Sequence, residues 1–313
     1  MKVLFTFDYG KERMQAIKDL GFDYIYVHEK SVTYSPVLDD VEILCCYTPF
    51  HTLDISKLPN LKWIQLSSTG FDQVPRDAVK EKNITVTNNK YGYAIPIGEW
   101  IVLKTLELLK RTRDIYRNQD NKRWHMNMSV EELYGRTLLF IGTGGIPSEA
   151  AKRLQGFDVN IIGVNTDGRP VPHFHQCYPI SQLDKLLPEA DFVIMTLPST
   201  PQTYHMMDSK HLGLMKPSSY LINVSRGSVI DQAALYDALK GHRIASAALD
   251  VFEQEPLPKD SPLWDLDNLL ISSHNSWVSE RMDDRRFQII YENLKLYKEG
   301  LPLKNIVNLN RGY

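Results

Sequence analysis

Cysteine is scarce in this chain. Three occur among 313 residues, Cys45, Cys46 and Cys177, and the first two are neighbours that cannot easily bridge each other. A disulfide framework is therefore excluded, which points to a reducing compartment. An excess of either charge is also missing. The 36 Lys and Arg against 38 Asp and Glu leave a formal net charge of -2, so no global positive field exists to hold nucleic acid or an anionic membrane. No window approaches the roughly 18 uncharged apolar residues that a membrane span needs. The first apolar run ends at Asp8, too short for a signal peptide, and no small-residue cleavage site follows it. The cytoplasm is the expected location. Internal repeats, low-complexity tracts and blocks of like charge are absent as well.

What is present is ordinary globular composition, 43% apolar and 24% charged. At roughly 150 residues per domain the length predicts two domains, with one large domain as the alternative. Lys2–Phe7, Tyr24–Val27, Ile43–Cys46, Leu61–Leu66 and Ile84–Thr87 read as strands, and Lys11–Leu20 and Pro75–Lys82 as helices among them. Ile97–Arg117 is the longest helical pattern. Asn118–Glu132 is a polar, irregular excursion with an aromatic anchor, Trp124. A second alternating series follows, with strands at Thr137–Ile141, Asn160–Val164, Phe192–Thr196, Tyr220–Asn223, Ala245–Asp250 and Leu269–Ile271. Pro147–Leu154, Ser181–Leu187 and Asp231–Lys240 read as helices between them, and a helix at about Ser279–Glu299 closes the chain. Strands alternating with helices argue for parallel sheets, hence an α/β chain with two doubly wound domains.

The run Leu138–Ile141 leads into Gly142-Thr143-Gly144-Gly145-Ile146-Pro147 and then an amphipathic helix. Strand, glycine turn and helix are the context of a dinucleotide-binding fingerprint. Gly142 would make the tight turn, and Gly144 would let backbone N–H groups approach a pyrophosphate at the helix N-terminus. Pro147 stands at the third glycine position, where Pro is acceptable in the first helical turn but removes a possible phosphate donor. A plain βα turn without a ligand is the competing reading. The next strand ends at Asn165, where a dinucleotide site usually carries an acid for the ribose diol. A neutral Asn165, with Thr166 and Arg169 close by, would tolerate a 2′-phosphate, whereas Asp167 argues the other way, and the stretch could also be only a polar turn.

Three residues in the last third also follow strands: Arg226 in Asn223-Val224-Ser225-Arg226-Gly227, Glu255 in Asp250-Val251-Phe252-Glu253-Gln254-Glu255-Pro256-Leu257, and His274 after Leu269–Ile271. In an open α/β sheet ligands sit at the carboxyl ends of strands. Hydride transfer to a ketone places negative charge on oxygen, which calls for a proton donor and a positive neighbour. His274 can donate, Glu255 can favour the imidazolium form, and Arg226 can fork onto a carboxylate. Singly, each has a structural explanation; jointly, behind a glycine-rich βα turn, they suggest an acid–base site.

With these motifs and the spacings of 29 residues from Arg226 to Glu255 and 19 from Glu255 to His274, the chain resembles the D-isomer-specific 2-hydroxyacid dehydrogenase family from about Leu61 onward. The resemblance implies a flavodoxin-like substrate domain, at 1–94 plus 285–313, and a Rossmann dinucleotide-binding domain at 95–284, with a cleft that closes over ligand. It implies that His274 is the acid/base, that Glu255 orients it, and that Arg226 binds the substrate's carboxylate and carbonyl. Ser68-Thr69-Gly70 matches the family's substrate loop. Asp250, Val224 and Ser225 would contact the nicotinamide, and Leu197, Pro198 and Thr203 would line the adenosine side, the cofactor being NAD or NADP, with a lean to NADP. No metal site is expected. The Asn118–Glu132 excursion corresponds to the family's dimer-forming region, so a homodimer is expected. Ser273 replaces the usual Pro before the histidine, and the regulatory domain of the longer phosphoglycerate dehydrogenases is not expected. The main expectation is a reductase of small 2-keto acids. A phosphoglycerate dehydrogenase, which would want basic residues beyond Arg76 and Lys90 near the substrate loop, and a non-catalytic dinucleotide-sensing binding protein are the alternatives.

Overall fold

A computed structural model describes residues 1–309. The chain divides into two compact units, Met1–Tyr93 together with the described residues from Ser279 on, and Ala94–Val278.

The first unit holds strands β1 (Lys2–Phe5), β2 (Asp23–Tyr26), β3 (Val41–Cys46), β4 (Trp63–Leu66) and β5 (Thr85–Thr87). They form one parallel sheet in the order β2-β1-β3-β4-β5, the flavodoxin-like order. Its helices are α1 (Lys11–Asp19), α2 (Arg76–Glu81) and, from the end of the chain, α9 (Met282–Lys298). Side chains alternate between the sheet's faces. Val3, Phe5, Ile43, Cys45 and Trp63 pack with Ile17 of α1 and with Phe287, Ile290 and Leu294 of α9, whereas Leu4, Leu44, Cys46, Ile64 and Leu66 belong to the opposite core. This double burial accounts for strands that read as continuous apolar runs.

A buried polar chain joins α9 to the sheet. The Trp63 indole N–H donates to Thr87 Oγ1 at 2.8 Å, and Thr87 Oγ1 donates to Gln65 Oε1 at 2.8 Å. Asn293 Nδ2 donates to the same Gln65 oxygen at 2.8 Å and to the Lys304 carbonyl at 3.1 Å, while Asn293 Oδ1 accepts from the Lys304 amide at 2.8 Å. Trp63, Gln65, Thr87 and Asn293 are fully buried.

The second unit opens with α3 (Ala94–Lys110) and α4 (Thr112–Asp120). The sequence predicts one helix over Ile97–Arg117; two are present, divided at Arg111, whose φ is 51°. The apolar face ends at Leu109, and α4 buries none of its residues. Arg113 instead anchors α4 by donating to the carbonyls of Leu266 and Leu269. Trp124, expected as an anchor within the excursion, is 102% exposed.

Strands β6 (Thr137–Ile141), β7 (Asn160–Asn165), β8 (Gln176–Pro179), β9 (Phe192–Met195), β10 (Tyr220–Asn223), β11 (Ser246–Leu249) and β12 (Leu269–Ile271) form a parallel sheet ordered β12-β11-β10-β9-β6-β7-β8. With β6 counted as the first strand this is the Rossmann order plus a seventh strand. Helices α5 (Gly145–Leu154), α6 (Leu183–Leu186), α7 (Ser209–Leu214) and α8 (Gln232–Lys240) lie among them. The edge strand β8 is absent from the sequence reading because it is polar and only partly buried. The order reverses between β6 and β9, so the crevice of the fold opens where β6 meets the Gly142 turn.

Removing the hub of the polar chain leaves buried groups unsatisfied. Asn293→Leu is expected to lower the unfolding free energy by about 2–3 kcal/mol, read from urea denaturation; a loss below about 0.5 kcal/mol would show that α9 is held by apolar packing alone.

Candidate active site

Because all seven strands run parallel, their carboxyl ends share one edge, and every candidate of the second unit lies there. Gly142–Ile146 follows β6, Asn165–Arg169 closes β7 and begins its loop, Leu197–Thr203 follows β9, Val224–Arg226 follows β10, Asp250 and Glu255 follow β11, and His274 follows β12.

At the β6 turn, Gly142 has φ 105°, and a Cβ there would sit 2.9 Å from the Thr196 carbonyl group. Only glycine fits this approach of β6 to β9. Gly144 is the N-cap of α5, and a Cβ built on it meets nothing within 4 Å. Open space therefore faces the amides of a ten-residue helix at its positive end, a geometry that suits a pyrophosphate. Pro147 is buried in the first turn, and α5 starts normally at Gly145. These residues fit a dinucleotide.

Asn165 is the last residue of β7. Its side chain is buried in its own turn. Nδ2 donates to Thr143 Oγ1 at 3.2 Å and to the Arg169 carbonyl at 2.9 Å, while Oδ1 accepts from the amides of Asp167 and Gly168. The exposed groups at this strand end are Thr166, Asp167 and Arg169, the last two paired at 2.8 Å. On the β9 side, Leu197 is buried and Pro198 exposed. The Thr203 hydroxyl, expected against the adenosine, donates to the Pro198 carbonyl at 2.7 Å and accepts from the Thr200 amide at 2.8 Å, closing its own loop.

Asn223, which the sequence reading left within the Asn-x-x-Arg-Gly motif without a role, builds the β10 turn. Its Oδ1 accepts from the amide and hydroxyl of Ser225 at 3.0 and 2.8 Å, and its Nδ2 donates to the Arg226 carbonyl at 2.9 Å. The signal was an Asn directly after an apolar strand, a residue type that bonds nearby backbone. Val224 and Ser225 are buried beside it. A Cβ on Gly227 would overlap the Phe252 carbonyl group at 1.9 Å, so the turn after Arg226 packs directly on the segment that carries Glu255.

His274 Nδ1 and Glu255 Oε2 are 2.7 Å apart, and Glu255 Oε1 accepts from the Phe252 amide at 2.9 Å. Burial alone would raise the Glu255 pKa. The His274 hydrogen bond, the Phe252 amide and the charges of His274 and Arg226 outweigh it and hold the carboxyl below its ordinary value. Arg226, Glu255 and His274 thus form one electrostatic group. With Nδ1 engaged, the histidine's Nε2 is the nitrogen left to exchange a proton with a ligand.

His274 itself has φ 51°, a conformation that L residues adopt at a cost. Asp250 enforces it. Its carbonyl accepts the His274 amide at 2.8 Å. Its 2% exposed carboxylate accepts from the Ser272 hydroxyl at 2.6 Å and from the amides of Asn275 and Ser276 at 2.9 and 3.0 Å. Expected against the nicotinamide, this carboxylate is turned onto the histidine's own loop.

In the first unit, the loop Ser68–Gly70 follows β4. Its carbonyls, with that of Ser67, are all tied back: Ser67 by the Tyr93 hydroxyl, Ser68 by the Asn89 amide at 2.8 Å, Thr69 by Asn88 Nδ2 at 2.7 Å and Gly70 by Ser68 Oγ at 2.7 Å. Among the described residues no intramolecular partner takes the amides of Ser68, Thr69 or Gly70. Successive amides without intramolecular partners are suited to an anion.

Residues 102–276 match the family model described as D-isomer specific 2-hydroxyacid dehydrogenase, NAD binding domain. The chain belongs to that family. As a D-2-hydroxyacid dehydrogenase it is an NAD(P)-dependent oxidoreductase acting on the CH–OH group of its donors. It is 34% identical over 255 residues to a glyoxylate reductase of Korarchaeum cryptofilum, covering 80% of this chain and 77% of that one. It is 34% identical over 261 residues to a D-3-phosphoglycerate dehydrogenase of Methanocaldococcus jannaschii, 82% of this chain but 49% of the relative. The crystal structure of a family member from Xanthobacter autotrophicus, in complex with NADPH and MES, superposes with TM-score 0.82 at 25% identity, covering 100% of this chain and 99% of that one. Among the described residues no helix is long and apolar enough to cross a membrane.

A carboxylate whose pKa is depressed by folding stabilises the fold above its unfolded pKa and stops doing so as pH falls through the folded value. The stability difference between wild type and Glu255→Gln is therefore expected at neutral pH and should vanish in acid, below the ordinary carboxylate range. Denaturant midpoints measured across that range check this; a difference that persists unchanged at the acid end would contradict it.

Proposed function

We propose that this dehydrogenase reduces small 2-keto acids to D-2-hydroxy acids, with His274 as the acid/base. The observation that carries the reading is the 2.7 Å His274–Glu255 contact beside Arg226, on the strand edge that also carries the Gly142 turn. When bound, the reduced nicotinamide supplies a hydride to the keto carbon. Arg226 binds the carboxylate and carbonyl through its planar fork. His274 Nε2 gives its proton to the carbonyl oxygen as charge develops there, and Glu255 on Nδ1 orients the ring. The Ser68–Gly70 amides hold the substrate carboxylate. The amides around Thr143–Ile146 take the pyrophosphate, and Leu197, Pro198, Val224 and Ser225 line the cofactor's path.

NADPH is the proposed preferred cofactor. Asn165 places no carboxylate in the site, and the Asp167–Arg169 pair is exposed and therefore weak, so Arg169 can exchange Asp167 for a 2′-phosphate. The excursion Asn118–Glu132 is proposed to pair two copies of the chain, supported by the exposure of Trp124, Met126 and Met128 on one short segment.

Turnover of glyoxylate, hydroxypyruvate, a phosphorylated keto acid and pyruvate is expected with NADPH ahead of NADH, and Arg169→Ala should narrow that difference. His274→Ala should reduce kcat by roughly 10²–10⁴-fold while the Kd for NADPH stays within about twofold. Cofactor binding without turnover of any keto acid would favour a dinucleotide-sensing protein instead. In sedimentation velocity the wild type should run as a dimer and Trp124→Ala as a weaker one; a monomeric wild type overturns the pairing.

A further inference from the structure

The sequence reading gave no role to Tyr93 or Arg286, yet both stand behind the substrate loop. A peptide group is planar, so a fixed carbonyl also fixes the direction of the N–H on the next residue. The Ser68 amide points where the Ser67 carbonyl lets it. That carbonyl accepts the hydroxyl proton of Tyr93, and the Tyr93 oxygen accepts from Arg286 Nε at 2.9 Å. By occupying a lone pair of the phenol oxygen, Arg286 aims the phenol's proton at Ser67.

The Arg286 guanidinium is itself held. Its side chain is 11% exposed, lies 5.6 Å from the Phe7 ring centroid and 5.7 Å from that of Tyr93, and is 3.6 Å from Asp283. Its backbone carbonyl accepts Asn89 Nδ2 at 3.1 Å, and the Asn89 amide in turn fixes the Ser68 carbonyl. One residue of α9 thus reaches two consecutive peptide planes of the loop, through Tyr93 to the Ser68 N–H and through Asn89 to the Thr69 N–H.

We propose that Tyr93 and Arg286 are positioning residues for the substrate's carboxylate, orienting the amides of Ser68 and Thr69 so that both converge on one anion. This rests on the reading that the Ser68–Gly70 loop holds that carboxylate, and the test separates the two. The holoenzyme, with NADPH saturating, is assayed on a 2-keto acid and on its neutral amide, for wild type, Tyr93→Phe and Arg286→Met. Wild type is expected to prefer the keto acid. Tyr93→Phe keeps the buried ring and loses only the hydroxyl. It is expected to raise KM for the keto acid about fivefold, the worth of one neutral hydrogen bond, with kcat, the Kd for NADPH and kcat/KM for the amide within about twofold of wild type. Arg286→Met should cause the same selective loss to a smaller degree. An equal loss on both substrates, or none on either, overturns the proposal, since a merely structural role would not distinguish a carboxylate from an amide. A wild type that does not prefer the keto acid overturns the reading of the loop and the proposal with it.

Discussion

Parallel pairing is the constraint from which the rest of this molecule follows. When every strand of a sheet runs one way, every loop that leaves a strand's carboxyl end emerges at a single edge, whatever the distance between those loops in sequence. Gly142 and His274 are 132 positions apart, and they share that edge because β6 and β12 belong to the same parallel sheet. The crossover helices follow from the same rule, since a parallel neighbour can only be reached by returning across a face. So does the apolar character of the strands, which are covered on both sides.

The edge supplies only positions; the aim of each group comes from polar side chains that bond their own loops. Asn165, Thr203, Asn223 and Asp250 do this in turn after β7, β9, β10 and β11. Short side chains with an oxygen or amide near the backbone are suited to hold irregular chain in one shape. Asp250 is the extreme case. It holds His274 in a left-handed conformation, and thereby fixes which ring nitrogen meets Glu255 and which meets solvent.

Most of the strands and the three residues that follow them were legible in the sequence because apolar runs, glycine turns and motif spacing are local signals. The seven-stranded sheet was read as six because β8 is a polar edge and carries no apolar run. The break at Arg111 was hidden because helical propensity continues through it, and only the lack of anything to bury explains it. The bonds by which Asn165, Thr203 and Asp250 build their own turns were hidden for a common reason. A polar residue at a strand end looks the same in sequence whether it faces a ligand or its own turn, and hydrogen-bond geometry alone separates the two. Tyr93 and Arg286 were invisible, since 193 residues lie between the phenol and its guanidinium partner.

The return of α9 to the first sheet has a consequence for synthesis. All five strands of that sheet are complete in sequence by Thr87, but one of its faces needs Phe287, Ile290 and Leu294. On the ribosome the early strands therefore emerge with Val3, Phe5, Ile43 and Trp63 only partly covered, by α1, whereas the second unit is contiguous and can close as it is made. The part of the chain translated first is the part that finishes last, and the interval between them is when chaperones would find an apolar sheet face to hold.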